Sequence, residues 1–188
     1  MCKVQVQLHT LCFVRFMGIA FSYHHCVMIL LLINGYVINV WTGMSSQIGL
    51  MRLATWNVNG LGNPVKRKKV MTMLKNKKYD VVFLQETHMS KEESEKLCAG
   101  WAGHVFYSIG SSKSKGVITL VSKHLQFKCL KQIKDNSGRM IIVLAEIQSQ
   151  KMILANIYAP NLDDHIFFTD LERKLQTAGN HAVVLGGG

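Results

Sequence analysis

Residues 81–88, VVFLQETH, limit this chain more than any other stretch: four apolar residues that stop abruptly on four polar ones. An unbroken apolar run of this length, rich in valine and phenylalanine, describes a strand covered on both faces inside a helix-flanked sheet. A carboxylate such as Glu86 at the mouth of that strand is costly to desolvate unless a cation or hydrogen-bond donors hold it. The plainer reading is a glutamate that turns into water where the strand ends. Two further polar clusters at strand ends set that reading aside. Asn57 and Asn59 follow the apolar residues 51–56, and Tyr158 and Asn161 close the strand pattern that begins at residue 152.

Between these tips, helical and strand patterns alternate. Asn63 followed by Pro64 is a helix start, an N-cap residue before proline at the first helical position. Val70, Met71 and Leu74 supply the inward face of that helix, and Lys66, Arg67, Lys68, Lys69, Lys75, Lys77 and Lys78 the outward one. Ser90 and Glu93 have capping-box spacing, which predicts a short helix through Leu97. Residues 101–109 and 116–122 read as strands around a polar, basic loop at 111–115. Residues 127–134 and 140–147 flank Asp135-Asn136-Ser137-Gly138 and read as a hairpin. Asp163 and Asp164 open a helix whose buried face is Ile166, Phe167, Leu171 and Leu175, and which stops at Gly179. Residues 182–185 form a last buried strand. The class is α/β (α+β) with a sheet-rich core.

Charge narrows the partners. Residues 1–50 hold two basic residues and no acidic one, whereas residues 51–188 hold 20 basic against 11 acidic, a net of +9. A surface of that sign favours a polyanion, nucleic acid first and an anionic membrane second. The five cysteines are odd in number and show no metal-ligand spacing, so neither a disulfide framework nor a zinc site is indicated. Residues 1–48 read as an apolar leader, a signal-anchor or an unrelated segment, ahead of a domain spanning 49–188. Its most apolar part, residues 26–41, is interrupted by Asn34, Gly35 and Asn39, so membrane insertion is not favoured.

Taken in order, ATWNVNGL, LQETH and NIYAPN resemble the motifs of the endonuclease/exonuclease/phosphatase family. The closest resemblance is to the endonuclease domains of LINE-type retrotransposons, themselves similar to apurinic/apyrimidinic endonucleases and exonuclease III. It runs from residue 51 to residue 187. The resemblance implies the N-terminal part of a two-layer α/β sandwich and hydrolysis of a DNA phosphodiester in the nucleus. It also implies Mg²⁺ as cofactor, with Mn²⁺ as the alternative ion. Carried over residue by residue, Glu86 is the carboxylate that ligates the metal and Asn57 stands beside metal and phosphate. Tyr158 contacts the scissile phosphate, and Asn59, His88 and Asn161 fall on the substrate side. The chemistry agrees on its own terms: Mg²⁺ prefers oxygen ligands and keeps several waters, so one carboxylate and a phosphate suffice to hold it.

The departure from the family lies at residue 188. In these enzymes the strand resembling HAVVLGG is followed by Asp-x-Asn, which positions the attacking water; here Gly188 stands in the place of the aspartate. The later Asp-His pair has no counterpart, and His88, His165 and His181 do not match it. The expectation is a truncated member, built like a nuclease and impaired in turnover, with unpaired strand edges and exposed apolar surface. Two other readings stand beside it. One is a phosphatase of the same fold; the other is a non-catalytic remnant that binds nucleic acid or is anchored to a membrane.

Overall fold

A computed structural model of the chain describes residues 6–8, 37–40, 51–110, 114–160 and 164–188. The first elements are β1 (Val6–Leu8), β2 (Val37–Val40), β3 (Met51–Asn57), α1 (Pro64–Lys77), β4 (Val81–Gln85) and α2 (Lys91–Gly100). They are followed by β5 (Gly103–Ser108), β6 (Val117–Ser122), β7 (Phe127–Lys134) and β8 (Met140–Ile147). Last come β9 (Gln150–Ile157), α3 (His165–Ala178) and β10 (Ala182–Gly187).

Local chemistry places the helices. Asn63 accepts from the N–H groups of Val65 and Lys66, and Pro64 sits at the first turn, where its missing N–H costs nothing. Ser90 and Glu93 close a reciprocal capping box on α2, which runs to Gly100, three residues beyond the expected Leu97. Asp164 caps α3 by accepting from the Phe167 N–H at 3.0 Å, and Gly179 ends it.

The strands form two sheets, one ordered β1-β2-β3-β4-β6-β5 and the other β10-β9-β8-β7. β3 and β4 run parallel, as do β9 and β10, each pair joined through a helix; the remaining neighbours are antiparallel. β7 and β8 are the hairpin read from the sequence, with a bulge between Cys129 and Lys131.

The period-two alternation of the strands divides the core into layers. Leu53, Phe83, Val117 and Val121 of the first sheet meet Ile141, Val143, Leu154 and Val184 of the second in a shared interior. The opposite face of the first sheet, with Ala54, Val82, Leu84 and Leu120, is covered by Val70 and Leu74 of α1 and Leu97 of α2. The opposite face of the second, with Met140, Ile142, Ile153 and Ala155, is covered by Phe167, Leu171 and Ala178 of α3. Two α/β layers thus face one another sheet to sheet. β4 is buried along its whole length, as its unbroken apolar run requires.

One core residue is misread from the sequence: Ile166 is 84% exposed. The helical stripe that α3 buries starts at Phe167 and returns at Leu171, and a residue one position earlier lies about 100° off it. Cys98 and Cys129 are free thiols. Among the described residues no helix is long and apolar enough to cross a membrane. Most of the apolar 26–41 stretch, the 111–113 loop, Asn161 and Asp163 lie outside the described residues.

Candidate active site

Parallel pairing brings the tips of β3 and β4 to one edge, with Asn57 opposite Gln85. The chain then turns at both tips through left-handed backbone: φ is +44° at Asn59, +51° at Glu86 and +50° at His88. Non-glycine residues seldom adopt such angles, and a turn that holds them needs support from its neighbours. The support is a backbone ladder. The N–H groups of Val58, Gly60 and Leu61 donate to the carbonyls of Gln85, Glu86 and Thr87 at 3.0, 2.6 and 2.7 Å. On the other side, Thr87 and His88 donate to the carbonyls of Gly116 and Lys115 at 3.0 and 2.9 Å.

The Glu86 carboxylate is the meeting point. The Asn57 side-chain amide donates to its Oε1 at 2.9 Å. His88 Nε2 lies 3.8 Å from its Oε2. The Tyr158 hydroxyl, just beyond the end of β9, lies near enough to the same carboxylate to feel both its hydrogen-bonding capacity and its charge. Burial, hydrogen bonding to Glu86 and the charge of Glu86 all push the Tyr158 phenol above its ordinary value, against a smaller opposing pull from Arg139. Both Glu86 and His88 keep about a fifth of their side-chain surface exposed, so the cluster opens to solvent. Four residues singled out in the sequence, Asn57, Glu86, His88 and Tyr158, therefore converge. Asn59 contributes its backbone N–H, which donates to Asn57 Oδ1 at 3.1 Å and fixes the orientation of that amide.

Several partners escape a reading by motif. Arg139 places its guanidinium carbon 5.2 Å from the centre of the Tyr158 ring, and its Nη1 donates to the Tyr158 carbonyl at 3.2 Å. A cation over a phenol face at that distance is a stabilising contact and adds positive potential beside Glu86. Beneath the tips, the inward-facing positions of the strands turn polar: Thr55, Gln85, Thr119 and Asn156 are all buried. Gln85 Nε2 donates to Thr55 Oγ1 at 2.9 Å and Asn156 Oδ1 at 2.8 Å. Asn156 Nδ2 donates to the carbonyls of Leu84 and Ile118. A side chain at Gly188 would stand 3.3 Å from both the Asn57 Cβ and Gln85 Oε1, so this residue closes the floor of the site. Lys66 and Arg67, read as outward charges, bend back instead. Lys66 Nζ donates to the carbonyls of Val58 and Asn59, each at 2.8 Å, and Arg67 to that of Leu61 at 2.7 Å.

Apart from the His88 imidazole, the donor set is oxygen: a carboxylate, an amide carbonyl with a second lone pair, and a phenol. That matches a hard divalent cation that retains water, bound through one carboxylate plus a substrate oxygen. Among the described residues no cluster of three or more His, Cys, Asp or Glu side chains forms a closed metal cage. Glu86, with Asn57 beside it, is where such an ion would be held.

Comparison with known proteins identifies the family and the fold. Residues 54–187 match the endonuclease/exonuclease/phosphatase family. The chain is 31% identical over 140 residues to a transposon TX1 protein of 149 kDa from Xenopus laevis, covering 73% of this chain and 11% of that protein. It is 24% identical over 115 residues to an exodeoxyribonuclease of Bacillus subtilis, covering 59% of this chain and 43% of the relative. The chain thus spans less than half the length of either relative. Among solved structures, the endonuclease domain of TRAS1, a telomere-specific non-LTR retrotransposon, shares the fold with a TM-score of 0.51 at 14% identity. That match covers 73% of this chain and 57% of the domain.

Proposed function

This chain belongs to the endonuclease/exonuclease/phosphatase family, and from that premise we propose that its strand-tip site hydrolyses DNA phosphodiesters with the help of Mg²⁺ or Mn²⁺. The observation that carries the proposal is the convergence of Asn57 and Tyr158 on the Glu86 carboxylate from strands 29 and 72 residues away along the chain. A glutamate that merely ended its strand in water would gather no such partners.

Glu86 offers the anionic oxygen that holds the ion, and Asn57 orients that carboxylate without adding negative charge next to an anionic substrate. A bound divalent cation supplies Lewis-acid stabilisation to the phosphoryl oxygens. Tyr158, beside Glu86, donates its hydroxyl to a phosphate oxygen, and Arg139 keeps positive potential beside it. The transposon and exodeoxyribonuclease relatives support DNA over a small phosphate ester. So does the net charge of +9 on residues 51–188. A DNA substrate in turn favours a nuclear location.

Nicking of supercoiled plasmid tests this reading. With Gly188 where the family carries an aspartate, slow nicking is expected in Mg²⁺ or Mn²⁺, absent in EDTA and abolished in Glu86→Ala. Nicking that persists in EDTA or in Glu86→Ala would overturn the assignment, as would faster phosphate release from an inositol phosphate than DNA cleavage.

A further inference from the structure

The turn between β7 and β8 is built around one carboxylate. Ser108 Oγ donates to Asp135 Oδ1 at 2.7 Å and also to the Asp135 carbonyl at 2.9 Å. The Ser137 hydroxyl donates to Oδ2. The Arg139 N–H reaches both oxygens, at 3.1 and 3.0 Å, and the Met140 N–H reaches Oδ1 at 3.0 Å. A carboxylate that satisfies four donors, one of them on β5, holds more than its own turn.

We propose that Asp135 is a positioning residue for the strand-tip site, setting both the Glu86 loop and Tyr158 through the hairpin turn it gathers. The inference rests on the reading of that site given above. One branch runs through Arg139, whose backbone N–H the carboxylate fixes. Its carbonyl accepts from the Tyr158 N–H at 2.7 Å, and its guanidinium lies over the Tyr158 ring. The second branch runs through Gly138, whose φ is +72° and whose carbonyl accepts from the Gly116 N–H at 2.9 Å. The Gly116 carbonyl takes the Thr87 N–H, and the neighbouring Lys115 carbonyl takes that of His88. Glu86, on left-handed backbone, is thereby tethered from its C-terminal side to the hairpin turn. The turn also packs tightly on the chain that leaves β5: a Cβ on Gly138 would fall 2.1 Å from the Gly110 nitrogen.

The competing account is a turn cap that acts only on its own hairpin, and the two differ at a distance. Asp135→Asn preserves size but replaces one acceptor oxygen with an NH₂ group facing donors. Hydrogen exchange is read on the full ¹⁵N-labelled chain without metal or DNA, and ¹⁹F spectra on 3-fluorotyrosine protein with the Tyr158 line assigned by Tyr158→Phe. The expected result is exchange about tenfold faster at the Gly116, Thr87 and His88 amides together with a displaced Tyr158 line. The Val143 and Leu154 amides and the Tyr79 line stay where they are in the unsubstituted protein. Acceleration confined to the Arg139 and Met140 amides, with Thr87, His88 and Tyr158 unmoved, would overturn the proposal. Should Asp135→Asn fail to fold, Ser137→Ala removes a single donor and must give the same pattern at smaller amplitude; its absence also overturns it. Because neither metal nor DNA is present, a negative result leaves the hydrolase reading intact, and absent nicking leaves this one intact.

Discussion

Asp135 also has a signature in the acid limb of stability. Burial alone would raise its carboxyl, but bonds from Ser137, the Met140 N–H, Ser108 and the Arg139 N–H together hold it below its ordinary value of 3.8. A carboxyl depressed in the folded state stabilises the protein fully above its unfolded value, and that contribution fades as pH falls through the folded one. The unsubstituted chain should therefore be more stable than Asp135→Asn near neutrality, with the gap closing as pH drops below about 4. Urea midpoints of both proteins between pH 7 and pH 3 measure it; a gap of constant width would show that the ionised form of Asp135 is not what matters. This residue illustrates what could be read beforehand. Asp135-Asn136-Ser137-Gly138 was recognisable as a turn because turn chemistry is local. Its grip on Ser108, 27 positions back, depends on where β5 and β8 meet, which no local pattern encodes. The same holds for Gln85 and Asn156, 71 residues apart: only sheet packing makes them partners. Asn57, Glu86 and Tyr158 were legible because each interrupts an apolar run at a strand tip.

At the scale of elements, α1 divides its charges between two tasks. Lys66 and Arg67 are spent on the carbonyls of the 58–62 loop, so they brace the segment that carries Asn57 and Asn59. Lys68 and Lys69 remain exposed on the helix surface. If DNA lies along that face, Lys68→Gln/Lys69→Gln should reduce the salt dependence of duplex binding by about two in the slope of log K against log salt. Fluorescence anisotropy of a labelled duplex across a KCl series reads the slope, and an unchanged slope would place the phosphate contacts elsewhere. The cap of α1 is separable from its charge. Asn63→Ala removes acceptors from the Val65 and Lys66 N–H groups and should cost about 1 kcal/mol in unfolding free energy with no change in that slope. Helix starts of this kind were readable from Asn63-Pro64 and from Ser90 with Glu93 because capping is decided within four residues. Which helical face is buried is decided by the sheet beneath, and Ile166 shows the difference: an apolar residue in the right helix, one position off the stripe that the second sheet covers.

For the molecule as a whole, the site exists because two sheets are pressed together closely enough for side chains of β4 and β9 to share one polar layer. Gly186 marks that closeness. It follows Val184 by two residues on β10 and so faces the same interior, where Phe83 of β4 is fully buried. A Cβ added at Gly186 would lie 2.5 Å from the Phe83 ring, a distance that real packing does not tolerate. Gly186→Ala must therefore push the ring or spread the sheets, at a cost of about 1–3 kcal/mol. Phe83→Leu alone should cost on the order of 1 kcal/mol, since it leaves a modest void in a core packed to crystal-like density. Combined, the two changes relieve each other: the smaller leucine makes room for the new methyl group. The double variant should accordingly be more stable than the sum of the singles predicts, by about 0.5–3 kcal/mol. Urea unfolding of the four proteins in the cycle gives this coupling directly. Strict additivity would mean that β4 and β10 are not held in contact at this point. The shared polar layer directly above, from Gln85 to Asn156, would then lose the frame that brings Tyr158 to Glu86.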